Sequence, residues 1–328
     1  REFFAHHQWK DVLGTSSVIR RVVTEGKTLA EMEDPVALIG ENGTGKSFFA
    51  QCIHNGSPRA KKPYIVINAG TIAQQDAARV LFGSDDGAKP RMGLFELAGG
   101  GTIALQGLGD ASEAFFSCLR QVLLQHSYFA VGGVTTIPFS ARLLALVTPE
   151  ERRRIPRDLW DQLSVFSLNL PLLKDRQEDV STLFRFFLLR ESILMPPRTQ
   201  KELEEILSFY SWPANLISLS AVSKRYILLY QQAMNPSPSA KQQILIRAIG
   251  EDELLSDIYR QYPALTDAAN SPPEEVLAGV AAMKRILKYN NSVIADKLGL
   301  GRTTLWRIQK KAGVSDAGED TDSPEPIE

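Results

Sequence analysis

The sequence has 328 residues, 44% of them hydrophobic and 23% charged, which is ordinary for a globular protein and excludes a fibrous or wholly disordered chain. The length suffices for about two or three domains with buried cores. The formal net charge is only -1, so affinity for nucleic acid has to come from a local basic patch and not from the molecule as a whole. The two cysteines, Cys52 and Cys118, fall in helical patterns with no Cys or His at metal-ligand spacing, which assigns them to the core as reduced thiols.

No apolar run approaches the roughly 18 residues that span a bilayer, and the opening "REFFAHHQWKDVLG" has no apolar signal-peptide stretch. The expectation is a cytoplasmic chain with no membrane partner. The chain begins at Arg1 and not at Met, which fits a longer protein with a sensory segment upstream.

From Asp34 onward short apolar runs alternate with helical patterns: "PVALIG" before "GKSFFAQCIHN", then "YIVINAG", "GTIALQG" and "ARLLALVTP". This alternation predicts an α/β fold around a mostly parallel, buried sheet. Residues 40 to 47, "GENGTGKS", match G-x-x-x-x-G-K-S in full, directly after an apolar run and before a helix. Gly40, Glu41, Asn42, Gly43, Thr44, Gly45, Lys46 and Ser47 are therefore the candidate nucleotide-binding residues. The glycines let backbone N–H groups turn toward phosphate oxygens and the next helix offers its positive end. Lys46 would reach the β and γ phosphates and Ser47 would hold Mg²⁺, so ATP or ADP with Mg²⁺ is the implied cofactor, binding being better supported than hydrolysis. A Gly-rich turn with no ligand is the alternative.

Several blocks in order resemble the AAA+ domain of bacterial enhancer-binding proteins, the activators of sigma-54 RNA polymerase. They are "GENGTGKS", "IHNGSPRAKKPYIVINAG", "LFG" at 81 to 83, "GLFELAGGGTIAL", "AVGG" at 130 to 133, "LPLLKDRQEDV" and "WPAN". The resemblance covers most of the chain and implies a P-loop sheet followed by a helical lid. It also implies five functional parts, and this chain departs from the family at each. The family's GAFTGA loop, which engages the sigma factor, is replaced by "GSDDGAKPRMG", in which only Gly87 and Ala88 remain before Lys89, Pro90 and Arg91. The Asp-Glu pair that supports Mg²⁺ and polarises water is replaced by Gln106 and Gly107, with Asp110 several residues off register. At the arginine-finger positions stand Pro156 and Gln162, with Arg157 one residue displaced. Ile217 takes the place of the lid's sensing arginine, and Thr148 that of an Asn closing the fourth apolar run. Because an arginine finger alone is worth roughly 10³ to 10⁵ in rate, the combined departures predict a pseudo-ATPase.

Beyond "SVFSLNLPLL" the chain reads as helices, and "NPSPSAKQ", 235 to 242, reads as a linker. Residues 244 to 270 read as more helix broken near Pro263, and "SPPEE" as a helix start capped by Ser271. Residues 281 to 311 then read as helix, Asn-Asn break, short helix, Gly-containing turn and helix, the spacing of a helix-turn-helix. Val293, Ile294, Leu298, Leu300, Leu305 and Ile308 are its apolar pins, and Trp306 is assigned to the core rather than to a base contact. Arg302, Thr303, Thr304, Arg307, Lys310 and Lys311 are the candidate DNA-binding residues, with Lys284, Arg285, Lys288 and Lys297 enlarging the basic patch. "NNSVIADKLGLGRTTLWRIQKK" resembles the Fis-type helix-turn-helix that ends the same family, which implies double-stranded promoter DNA as partner and a homodimer or higher oligomer. A solvated basic hairpin is the alternative. The last sixteen residues are acidic and predict disorder.

The expected organisation is thus an α/β AAA+ P-loop subdomain over 1–170, a helical lid over 171–234, a linker with helical segments over 235–270, an all-α helix-turn-helix domain over 271–312 and an acidic tail over 313–328. The expected function is a DNA-binding transcription regulator related to sigma-54 activators, with RNA polymerase or a related AAA+ activator as further partner. Two alternatives stay open: an ATP-hydrolysing sigma-54 activator with a diverged site, and a scaffold or antagonist of other AAA+ activators.

Overall fold

The computed structural model describes residues 4–85, 90–194, 197–233 and 236–311. They fall into two compact units, one of Arg1–Ile193 with Trp212–Ala221 and one of Leu194–Ser211 with Val222–Glu328. The loop remnant at Gly87, Ala88 and Lys89 and the acidic tail over 313–328 lie outside the described residues.

In the first unit the expected parallel sheet is present. Its strands are β1 (Val36–Ile39), β2 (Tyr64–Asn68), β3 (Thr102–Gln106), β4 (Arg142–Val147) and β5 (Phe166–Asn169), all parallel, in the spatial order β2-β3-β4-β1-β5. The strands read as continuous apolar runs because both faces are covered. Val36, Leu38, Ala104, Leu144, Leu146 and Leu168 pack with Ile19 and Val22 of α1 (Ser17–Ala30) and Phe49 and Ile53 of α2 (Lys46–Asn55). Their neighbours Ala37, Ile103, Leu105, Ala145 and Val147 pack with Phe115 and Leu119 of α3 (Glu113–Gln125) and Leu159 of α4 (Arg157–Leu163). Cys52 and Cys118 are free and buried, as expected.

Helix starts follow local chemistry. The Ser16 hydroxyl accepts the Ile19 N–H ahead of α1, and the Ser112 hydroxyl accepts that of Phe115 ahead of α3. Two side-chain ties carry segments beyond residue 170 into this unit. Asp179, fully buried on α5 (Gln177–Arg190), accepts from Thr15 N at 2.6 Å, Ser16 N at 2.9 Å and Ser16 Oγ at 2.7 Å. Asn215 accepts from Leu173 N at 2.8 Å and donates to the Asn42 carbonyl at 2.9 Å. Both ties lie within the first unit, which takes in residues up to Ile193 and again Trp212–Ala221.

The second unit is helical: α6 (Pro197–Phe209), α7 (Leu216–Gln232, whose start belongs to the first unit), α8 (Pro238–Ile249), α9 (Glu251–Gln261), α10 (Pro273–Ala282), α11 (Asn291–Lys297) and α12 (Arg302–Lys311). Leu245, Ile249, Leu254, Ile258, Val276, Val280, Met283, Ile286, Ile294 and Leu305 are buried in it. The linker reading of 235 to 242 fails from Pro238 on. Ser237 accepts the Ala240 N–H and Pro238 occupies the first helical position, so Ser-Pro here starts a helix. A break unseen in the sequence falls at Gly250, φ +116°, between α8 and α9. Ser271 is not the cap of α10: the residue before the helix is Pro272, and no side chain caps it.

Candidate functional site

The carboxyl ends of β1 to β4 meet at one edge of the sheet, the edge at which parallel α/β sheets bind ligands. β1 runs into Gly40 and the loop to Ser47, and α2 opens at Lys46. Gly43 and Gly45 have φ of +78° and +107°, and a Cβ on Gly43 would stand 2.1 Å from the Ala214 carbonyl oxygen, so no other residue fits there. Buried Thr44 donates its hydroxyl to the Glu41 carbonyl at 2.8 Å, and Leu216 N–H reaches the Gly43 carbonyl at 3.0 Å. Lys46 Nζ donates to the carbonyls of Gly40 at 2.7 Å and Glu41 at 3.1 Å. Burial lowers the pKa of Lys46, with the carboxylates of Glu151 and Glu41 acting in the opposite sense.

Opposite the loop, Gln106 ends β3 and donates Nε2 to Ser47 Oγ at 3.0 Å. Gly107 follows at φ +63°, and a Cβ there would lie 2.5 Å from Oδ1 of Asn68, the residue paired with Gln106 across β2 and β3. Asp110 accepts from Arg154 at 2.5 Å. Thr148, after β4, is an N-cap: its hydroxyl accepts Glu151 N–H at 3.1 Å, and the Glu151 carboxylate accepts Thr148 N–H at 2.7 Å. Pro156 precedes α4, Arg157 is its exposed first residue and Gln162 is half-buried. Ile217 is 59% exposed beside the loop, its Cγ1 3.2 Å from where a Cβ of Gly43 would be.

In the second unit α11, a turn through Gly299 at φ +64° and α12 form a compact hairpin. Asn290 caps α11 by accepting Val293 N–H at 2.9 Å. Ile294, Leu305 and Ile308 are buried and Leu298 and Leu300 half-buried, as assigned, but Val293 is exposed because it sits in the outward-facing first turn of α11. Arg302, Thr303, Arg307, Lys310 and Lys311 are exposed and Thr304 half-exposed. Arg302 Nη2 donates to Ser292 Oγ at 2.6 Å. Trp306 overturns its core assignment: it is 53% exposed, with Lys310 Nζ 4.8 Å from the ring centroid. The inward positions of α12 are filled by Leu305, Ile308 and Gln309, which leaves Trp306 on the outer side with Arg307 and Lys310. Arg285 contributes less charge than expected, since Glu205 pairs with it at 2.9 Å.

A family model described as "Sigma-54 interaction domain" matches residues 12–169. DNA-binding transcriptional activator HyfR of Escherichia coli K12 is 29% identical over 326 residues, 93% of this chain and 48% of HyfR. A Nif-specific regulatory protein of Sinorhizobium fredii is 34% identical over 238 residues, 68% of this chain and 39% of that protein. The chain is related to the sigma-54-dependent activators. It spans about half or less of the length of these two relatives. Among solved structures, NtrX from Brucella abortus matches with a TM-score of 0.65 at 25% identity, over 92% of this chain and 69% of NtrX. A second structure of NtrX, in complex with ATP, matches with a TM-score of 0.65 at 23% identity, over 93% of this chain and 70% of that one. The first unit therefore has the AAA+ P-loop fold, with the phosphate loop in the strand-to-helix turn that the fold requires.

Beside the phosphate loop, then, stand an amide bonded to Ser47 and a left-handed glycine whose Cβ position lies against the tip of Asn68. The sequence offered no sign of Asn68, Glu151 or Asn215 as parts of this site, because their proximity is a matter of strand register and of contacts across up to 173 residues. Among the described residues no group of three or more His, Cys, Asp or Glu could hold a metal ion, and no helix is long and apolar enough to cross a membrane.

Proposed function

We propose that this chain is a DNA-binding transcription regulator whose AAA+ module binds ATP or ADP through Gly40 to Ser47 without turning it over. The observation that carries the reading is the pairing of a complete phosphate loop with Gln106 and Gly107: the anion cradle is kept, and where the family resemblance implies an Asp-Glu pair stand an amide bonded to Ser47 and a left-handed glycine. Lys46 and the backbone N–H groups that open α2 would hold the phosphates, and Ser47 is the residue to which the family assigns the metal. That NtrX is described in complex with ATP supports nucleotide as the ligand class.

DNA binding is assigned to Arg302, Thr303, Thr304, Arg307, Lys310 and Lys311, which share the outer side and start of α12, the helix that enters the major groove in helix-turn-helix proteins. Promoter DNA as target, a homodimer or higher oligomer, and RNA polymerase or a related AAA+ activator as partner belong to the same reading, as does action in the cytoplasm, where that DNA lies. Nucleotide would serve assembly or regulation and not mechanical work.

The test measures nucleotide affinity and steady phosphate release on one sample, with Lys46→Ala as control, beside gel shifts on promoter fragments. Binding without release, lost in Lys46→Ala, supports the proposal. A second reading, an ATP-hydrolysing sigma-54 activator with a diverged site, draws on the complete phosphate loop and the match to the sigma-54 interaction domain. Steady phosphate release that Lys46→Ala abolishes would establish it in place of the first.

A further inference from the structure

The Mg²⁺ ion that the family implies does not fit the residues that face the phosphate loop. Mg²⁺ is a hard cation that prefers anionic and carbonyl oxygens in near-octahedral array. Here the Ser47 hydroxyl is engaged by the Gln106 amide at 3.0 Å, with the amide nitrogen as donor, so the group that replaces a carboxylate aims a positive N–H dipole at the would-be metal ligand. In either orientation of the amide the group is neutral. Of the other acids near the loop, Glu41 is exposed, while Asp110 and Glu151 are engaged. Asp110 is paired with Arg154, and the Glu151 carboxylate caps the helix Pro149–Arg152 through Thr148 N–H. At 107 the backbone is left-handed, and a side chain there would have to displace the tip of Asn68.

The same exchange changes what the polyphosphate meets. A carboxylate at 106 would repel the phosphates of a nucleotide unless a divalent cation stood between them. An amide at 106 removes that repulsion. Lys46 and the α2 N-terminus then face the phosphates with no competing charge at that position.

We propose that the phosphate loop takes its nucleoside di- or triphosphate free of Mg²⁺, with Gln106 bound to Ser47 where the metal would otherwise be anchored. The proposal rests on the nucleotide-binding reading above. The test is calorimetric titration of the full chain with ATP and with ADP, in excess Mg²⁺ and in excess EDTA. The wild-type dissociation constants are expected to agree within about threefold between the two conditions. In Gln106→Asp, ATP binding in EDTA is expected to weaken by about tenfold or more and Mg²⁺ to restore it. Thermal unfolding of the variant checks that it remains folded, and the wild-type comparison stands by itself if it does not. A wild-type chain that binds tightly in Mg²⁺ and loses about tenfold or more in EDTA overturns the metal-free proposal and leaves nucleotide binding intact. No binding in either condition overturns the nucleotide reading itself.

Discussion

His54 is buried on α2 with Nδ1 2.8 Å from Thr102 Oγ1, and burial is the main cause that pushes its pKa down to about 4 from 6.5. The Lys62 backbone acts against the shift and the charges of Arg142 and Arg59 add to it. Between about pH 6.5 and 4 the unfolded chain takes up a proton that the folded chain refuses. The His54 contribution to stability is therefore fully present above about pH 6.5 and is lost as pH falls through that window. The melting temperature of the wild type should fall from pH 7 to pH 4.5 more steeply than that of His54→Gln, which keeps a hydrogen-bonding group for Thr102 and has no charge to gain. Equal slopes would remove His54 as the cause.

Gly107 sets a second test at the same scale. Restoring both acids by Gln106→Asp with Gly107→Glu should not restore phosphate release, because the new Cβ meets Asn68 Oδ1 and the backbone is left-handed. The substitution at 107 is expected to cost about 1 to 3 kcal/mol in urea unfolding, and Asn68→Gly to return part of that. On α12, Trp306→Ala should leave stability within about 0.5 kcal/mol, since the ring is exposed, yet weaken promoter binding. Arg307→Ala should weaken binding to all sequences and reduce the salt slope by about 0.9 if it meets one phosphate. A promoter affinity unchanged by both would remove the outer side of α12 as the contact face.

Helices and strands were the most legible features, and the exceptions have local causes. Four apolar runs gave themselves away as strands because both faces of the sheet are covered, so that no polar residue interrupts Val36 to Leu38 or Leu143 to Val147. Ser237-Pro238 was misleading since the same dipeptide that marks a linker also marks the first turn of a helix. Trp306 was misassigned for a different reason: helical periodicity tells which residues share a side, and a large ring one position from buried Leu305 reads as core until the packing of that side is known. Asp179 was silent in the sequence, although it holds the start of α5 to the start of α1 through three hydrogen bonds. Asp179→Ala leaves the two buried Ser16 donors and the Thr15 N–H without that acceptor and is expected to cost about 3 kcal/mol by denaturant unfolding, with Asp179→Asn less damaging. A loss below about 0.5 kcal/mol would show that the tie is incidental.

For the molecule as a whole, the two candidate functions are segregated. Gly40 to Ser47, Gln106, Thr148, Asn215 and Ile217 all belong to the first unit, and the candidate DNA-binding residues of α12 to the second. Nucleotide at about 100 times its dissociation constant should stabilise the first unit by about 2.7 kcal/mol. Amide hydrogen exchange should accordingly slow in β1, β3, α1 and α2. Protection of comparable size confined to α8 to α12 would argue that nucleotide binds elsewhere. Where one unit ends and the next begins was the least legible property at this scale. Contacts such as those of Asp179 and Asn215, within the first unit, join partners up to 164 and 173 residues away.

The space beside Gly107 also couples two positions on neighbouring strands. A glutamate at 107 meets the tip of the Asn68 side chain, which has to turn aside, so the effects of substitutions at 68 and 107 are expected not to add.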